Sequence, residues 1–108
     1  MEHEPVVIDL RDDEDDGRHA RVRGVLDVFT SPVLAAKVLA NLPGDTRKLL
    51  IDLRDVNFVD SAGVSALVRL RQEGRARAVD VRARIGGAHS QINSTVVDLL
   101  HRVIPVDD

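Results

Sequence analysis

The sequence predicts an α/β domain built on a mostly parallel β-sheet. Three observations carry this. Short runs of strand character recur along the 108 residues. Segments with apolar residues at helical spacing separate all but the first two of these runs. Start and stop residues then bracket the helical segments, with Thr30-Ser31-Pro32 and Pro43-Gly44 around the first and Asp60-Ser61 before the second. A strand joined to the next across a helix returns parallel to it. In order the chain reads β-β-α-β-α-β-α-β, a single domain spanning residues 1–108.

Val6 to Leu10 is the first predicted strand, and the acidic stretch from about 11 to 17 is the hairpin connection that follows. From Ala20 to Leu26 the pattern alternates, with Ala20, Val22, Gly24 and Leu26 on one face and Arg21 and Arg23 on the other. Thr30 or Ser31 followed by Pro32 starts a helix, because proline is preorganised for the first helical position. Pro43-Gly44 ends it. Leu49 to Leu53 is an apolar run bounded by charge, which predicts an interior strand covered on both faces. A short polar loop should follow, with Phe58 and Val59 as an apolar plug beneath it. Asp60 or Ser61 then caps a helix that continues to about Arg77.

On that helix Gly63, Ala66, Leu67, Leu70 and Gly74 share one stripe, which should face the sheet, while Ser61, Val64, Ser65, Val68 and Gln72 lie on an adjacent face. Val64 and Val68 are therefore expected to be partly exposed. Farther along, Val79, Val81, Ala83 and Ile85 alternate with Asp80, Arg82 and Arg84, the pattern of a strand with one solvated face. Gly86-Gly87 turns the chain. Ser90 to Arg102 carries Ile92, Val96, Val97, Leu99 and Leu100 at helical spacing, and Val103 to Val106 is a short last strand at a short C-terminus.

Composition excludes several function classes. Two Phe, no Trp and no Tyr leave a core of Val, Leu, Ile and Ala and argue against an aromatic stacking surface for nucleic acid. With no Cys there are no disulfides, no thiol catalysis and no thiolate metal site. No apolar stretch approaches the roughly 18 residues of a membrane span, and the acidic N-terminus is not a secretory signal, so a soluble cytoplasmic protein is expected. The net charge of −3 hides an asymmetry: residues 1–16 hold eight acids and one Arg, whereas residues 17–108 hold ten acids and fourteen bases.

Chemical motifs fail on inspection. Asp12 to Gly17 has alternate acids like a calcium loop, but Arg23 stands at the twelfth position, where a bidentate acid is required. A hydrolase nucleophile at Ser61 would need Gly two residues earlier, where Val59 stands. Asp52, Asp55 and Asp60 invite comparison with a phospho-accepting receiver, yet no Lys follows Lys48. His19, His89 and His101 read as lone surface residues. The six Arg between Arg69 and Arg84 are interspersed with Glu73 and Asp80 and read as a solvated surface, without direct nucleic acid binding. No cofactor motif is present, and no acid–base pair or metal set accompanies Ser61, which argues against an enzyme.

The stretch IDLRDVNFVDSAGVSALV, from Ile51 to Val68, combines a buried strand, an acidic residue, a loop and an Asp-Ser-small-Gly helix start. With Gly24-Val25-Leu26-Asp27 ahead of it, the chain resembles the STAS domains of bacterial anti-sigma factor antagonists. That resemblance implies a switchable binding module. The unphosphorylated protein would bind an anti-sigma factor, a serine kinase with a histidine-kinase-like ATPase fold, and thereby release a sigma factor to RNA polymerase. Phosphorylation of the serine matching Ser61 would end the interaction, and a phosphatase would restore it. Ala62 stands where a second serine is often found, leaving one local acceptor. The expected partner-binding residues are Asp27, Thr30, Asp60, Ala62, Gly63, Val64 and Val68, on a monomer or weak dimer. The alternative is a STAS scaffold in a stress-signalling complex or in a lipid-transport ATPase.

Overall fold

The computed structural model describes residues 6–86 and 91–107. Two strands, β1 (Val6–Asp13) and β2 (Gly17–Leu26), form an antiparallel hairpin. Its ladder continues to Asp13 opposite Gly17, so most of the expected acidic loop is strand. The turn shrinks to Glu14-Asp15-Asp16, where Asp15 and Asp16 take φ of 58° and 61°. A hairpin turn of this hand needs positive φ at both central residues, and Asp tolerates it better than most.

After β2 come α1 (Ser31–Ala40), β3 (Lys48–Val59), α2 (Ser61–Ala76), β4 (Asp80–Arg84) and α3 (Ser94–Val103). The sheet order is β1-β2-β3-β4, with β2–β3 and β3–β4 parallel. Val106 adds a single parallel bridge to Ala83, which is what becomes of the expected last strand. The last helix starts at Ser94, where the Asn93 side chain accepts from Thr95 N at 2.7 Å; the expected start at Ser90 lies outside the described residues.

β3 departs most from expectation. It does not stop at Leu53: residues 54–57, expected as a loop, stay in the strand. Their polarity is accommodated by two register shifts against β2, between Arg21/Arg23 and Gly24/Val25. Bulges of this kind change which face the next side chain occupies. Val56 and Val59 consequently point into the core, while Phe58, paired with Val25, is half-exposed and plugs nothing. Gly24 sits at this irregularity with φ of 109°, a conformation that side-chain-bearing residues rarely adopt.

All three helices share one core with the inward residues of the sheet, including Ala20, Val22, Leu26, Leu49, Ile51 and Leu53. The other face, expected to be covered, is polar. It displays the segment Ile-Asp-Leu-Arg-Asp twice, at 8–12 in β1 and 51–55 in β3. Each copy turns apolar residues inward and an Asp/Arg pair outward: Arg11 donates to Asp9 at 3.1 Å, and Arg54 to Asp52 at 2.8 Å. Arg82 on β4 repeats the arrangement with Asp80 at 3.0 Å. Two further arginines cover the C-terminal end of α1, Arg18 donating to Asn41 O and Arg77 to Leu39 O.

Candidate functional site

Asp60 breaks from strand geometry into an extended N-cap, and its Oδ1 accepts from Ala62 N at 2.8 Å and Gly63 N at 3.2 Å. Because Asp60 serves as the cap, the first helical residue, Ser61, is left exposed. The helix start is pinned against β2: Asp60 N donates to Leu26 O at 3.1 Å. Gly63 makes that approach possible. A Cβ there would stand 2.7 Å from Val59 Cγ1 and 3.0 Å from both Leu26 Cβ and Leu26 O.

Immediately beyond Leu26, the Asp27 carboxylate folds the next loop around itself, Oδ1 accepting from Phe29 N at 2.9 Å and Thr30 N at 3.0 Å. Chiefly the Thr30 N–H, against a smaller opposing effect of burial and aided by Phe29 N–H, holds the Asp27 carboxyl below its ordinary range. Thr30 Oγ1 donates to Val25 O at 2.6 Å and accepts from Asp27 N at 2.9 Å. This closed set of bonds launches α1.

Three expected surface residues therefore need correction. Thr30 is buried at 2% exposure with its hydroxyl used inside the loop, so it shapes the surface from beneath. Gly63 is buried by the close approach of α2 to β2. Val64, at 8%, belongs to the core, because α2 contacts α1 and α3 as well as the sheet and a single stripe does not exhaust its buried area. Asp27, Asp60, Ala62 and Val68 are half-exposed. Val68 packs partly against the core.

Sequence reasoning missed the apolar surface beside Ser61. Val28, Phe29 and Val33 are 61%, 81% and 51% exposed, and Phe58 is 50% exposed. Both aromatic residues of the chain thus face solvent at the C-terminal end of the parallel strands. Their rarity was the available signal: a core already complete in aliphatic residues leaves two phenylalanines without an interior role.

His19 is also not the lone surface residue expected. Its Nε2 lies 3.1 Å from Asp52 Oδ2 on the helix-free face. Asp52 is 1% exposed and accepts from Arg54 N, Nε and Nη2. Burial alone would raise its pKa; the Arg54 guanidinium and N–H with His19 outweigh that and lower it to about 2. An open groove of about 330 Å³ on another part of the molecule is lined by Lys48, Leu50, Asp80, Arg82, Arg84 and Asp107 among others, and does not include Ser61. Among the described residues no cluster could hold a metal ion, and no helix is long and apolar enough to cross a membrane.

A mixed sheet with helices on one face, and a serine presented at the start of the helix after the third strand, defines a STAS-type α/β domain. The chain belongs to the STAS domain family, whose model matches residues 8–103. Its fold is similar to that of an anti-sigma factor antagonist from Mycobacterium paratuberculosis, at 22% identity and a TM-score of 0.68, covering 94% of this chain and 84% of that one. The unphosphorylated form of the anti-sigma factor antagonist SpoIIAA is similar at 18% identity and a TM-score of 0.70, with 94% and 88% covered. A STAS-domain antisigma-factor antagonist from Rhodobacter sphaeroides gives 20% identity and a TM-score of 0.61, with 72% and 84% covered. No curated protein sequence matches the chain.

Proposed function

We propose that this protein is an anti-sigma factor antagonist, a non-enzymatic binding module of the cytoplasm that is switched off by phosphorylation of Ser61. The observation that carries the reading is the exposed hydroxyl at the first position of α2, left free because Asp60 provides the cap. The partner is an anti-sigma factor with serine kinase activity, and a phosphatase resets the switch. Asp27, Asp60, Ala62 and Val68 contribute directly to the docking face, while Thr30, Gly63 and Val64 hold its shape.

The physical logic is local. A phosphate brings about −1.5 to −2 units of charge. The N-terminus of a helix tolerates such charge, so the fold survives. Asp60 next to it makes the surface strongly negative, and burying an uncompensated charge against a partner costs about 2 to 5 kcal/mol, roughly 30-fold to a few thousandfold in affinity.

The test is calorimetric titration of the anti-sigma kinase from the same cell with wild type, Ser61→Ala and Ser61→Asp, alongside mass spectrometry of the ATP-treated mixture. Ser61→Ala should bind like the unmodified protein, Ser61→Asp at least about 30-fold more weakly, and the phosphate should sit on Ser61. Equal affinities for all three forms would remove Ser61 as the switch.

A further inference from the structure

The two phenylalanines define a surface with its own chemistry. Phe29 lies exposed in the loop between β2 and α1, and Phe58 is the last residue but one of β3 and the cross-strand partner of Val25. The ends of β2 and β3 beside them are joined where Asp60 N donates to Leu26 O. Val28 and Val33 extend the apolar area on either side of Phe29 along the chain. Aromatic residues this exposed add little to the core. They are, however, the side chains that dominate binding energy when a partner desolvates them.

We propose that Phe29 and Phe58, with Val28 and Val33, form the apolar centre of a protein-docking surface whose partner presents a basic side chain beside its own apolar residues. This extends the reading of the Ser61 region as a docking face and specifies its partner chemically. The charge of the surroundings selects among occupants. Asp27 precedes Val28 directly and Asp60 lies two residues beyond Phe58, whereas no Lys or Arg occurs from Gly24 to Leu34 or from Asp55 to Val68. The Asp27 carboxyl is held below its usual range, so it is an anion throughout the physiological interval. An anionic membrane would be repelled by this rim. A second copy docked through the same patch would bring two sets of these carboxylates together, at a cost. A basic protein segment meets neither obstacle.

The experiment places p-benzoylphenylalanine at position 29 of the full chain in its native cell, with exposed position 11 on the helix-free face of β1 as control. Light-induced cross-links are identified, and the captured protein is purified and titrated with wild type, Phe29→Ala and Phe58→Ala. The expected result is a heterologous protein cross-linked only from position 29 through a segment that contains Lys or Arg. Its affinity should fall about 10- to 100-fold with each alanine, and should weaken as salt rises. Both substitutions are at exposed positions, and unchanged melting temperatures would confirm that folding is not what is lost. A cross-link to a second copy or to lipid, a partner segment that is acidic, or affinities untouched by both alanines would each overturn the inference.

The outcomes separate this inference from the functional reading. A captured partner that is no anti-sigma factor but depends on both phenylalanines would sink the functional reading and keep the docking surface. An anti-sigma kinase that phosphorylates Ser61 and binds the alanine variants normally would do the reverse.

Discussion

Replacing Asp52 by Asn should produce a stability loss that depends on pH in one direction only. In the native state Asp52 is 1% exposed and ionised, gripped by Arg54 and His19, and its pKa falls from 3.8 to about 2. A carboxylate with a depressed native pKa contributes stability above its unfolded value, and that contribution is lost as pH falls through the folded value. Integrated between these two pKa values, it amounts to about 2 kcal/mol at neutral pH, about 1 kcal/mol near pH 3 and almost nothing below pH 2. Asn cannot supply the charge, so Asp52→Asn should cost about 2 kcal/mol at pH 7, a fall in Tm of roughly 8 to 12 °C for a domain of this size. Urea unfolding of both proteins between pH 2 and pH 7 is the assay. Their stability curves should be parallel above pH 5 and converge toward pH 2. Parallel curves over the whole range would show that the ion pair with Arg54 adds nothing and refute the reasoning.

Two further substitutions address the helix start. Asp60→Ala removes the acceptor for Ala62 N and Gly63 N and should lower stability by about 1 kcal/mol, as cap deletions do; Ser61→Ala should leave the urea midpoint within error, and the opposite ranking would make Ser61 the cap. Gly63→Val adds atoms where even a Cβ meets Val59 at 2.7 Å and the Leu26 backbone at 3.0 Å, so a loss of about 2 kcal/mol or more is expected by thermal melting. If Gly63→Val melts normally but fails to bind, Gly63 touches the partner directly.

Periodicity made most of the fold legible. Strict alternation announced β2 and β4, and the stripe of Gly63, Ala66, Leu67, Leu70 and Gly74 is the buried side of α2, with Val64 added to it. What stayed hidden was set by tertiary context. Arg54 to Asn57 read as a loop because polar residues in a strand need both an open sheet face and bulges, and neither is visible in a local pattern. Phe58 and Val59 read together as an apolar plug under that loop, and with the loop replaced by continuous strand only Val59 turns into the core while Phe58 takes the opposite face. Val64 was assigned outward because a wheel shows only the side turned to the sheet, whereas neighbouring helices cover a second side of α2. The Ser61 helix start was legible because Asp-Ser ahead of a helical stripe is a local signal. The aromatic surface beside it was not, because exposure of Phe29 depends on a core completed by residues elsewhere.

The two outward surfaces of the sheet layer differ in a way that bears on where a partner docks. Along the middle of β1, β3 and β4 the helix-free face is neutralised within each strand: Arg11 with Asp9, Arg54 with Asp52, and Arg82 with Asp80. Docking there would require desolvating pairs that already satisfy each other, with little attraction left for a partner. Such pairs also discourage sheet-to-sheet association. At the C-terminal strand ends the arrangement reverses. Asp27 and Asp60 turn their carboxylates to backbone N–H groups, apolar side chains stand exposed at Val28, Phe29 and Phe58, and exposed Ser61 follows Asp60 directly. On the reading proposed above, affinity from the apolar residues and repulsion from a phosphate on Ser61 would both act at this end of the sheet. A charge added at Ser61 would then act on the proposed partner through this surface, with no change in the sheet beneath required.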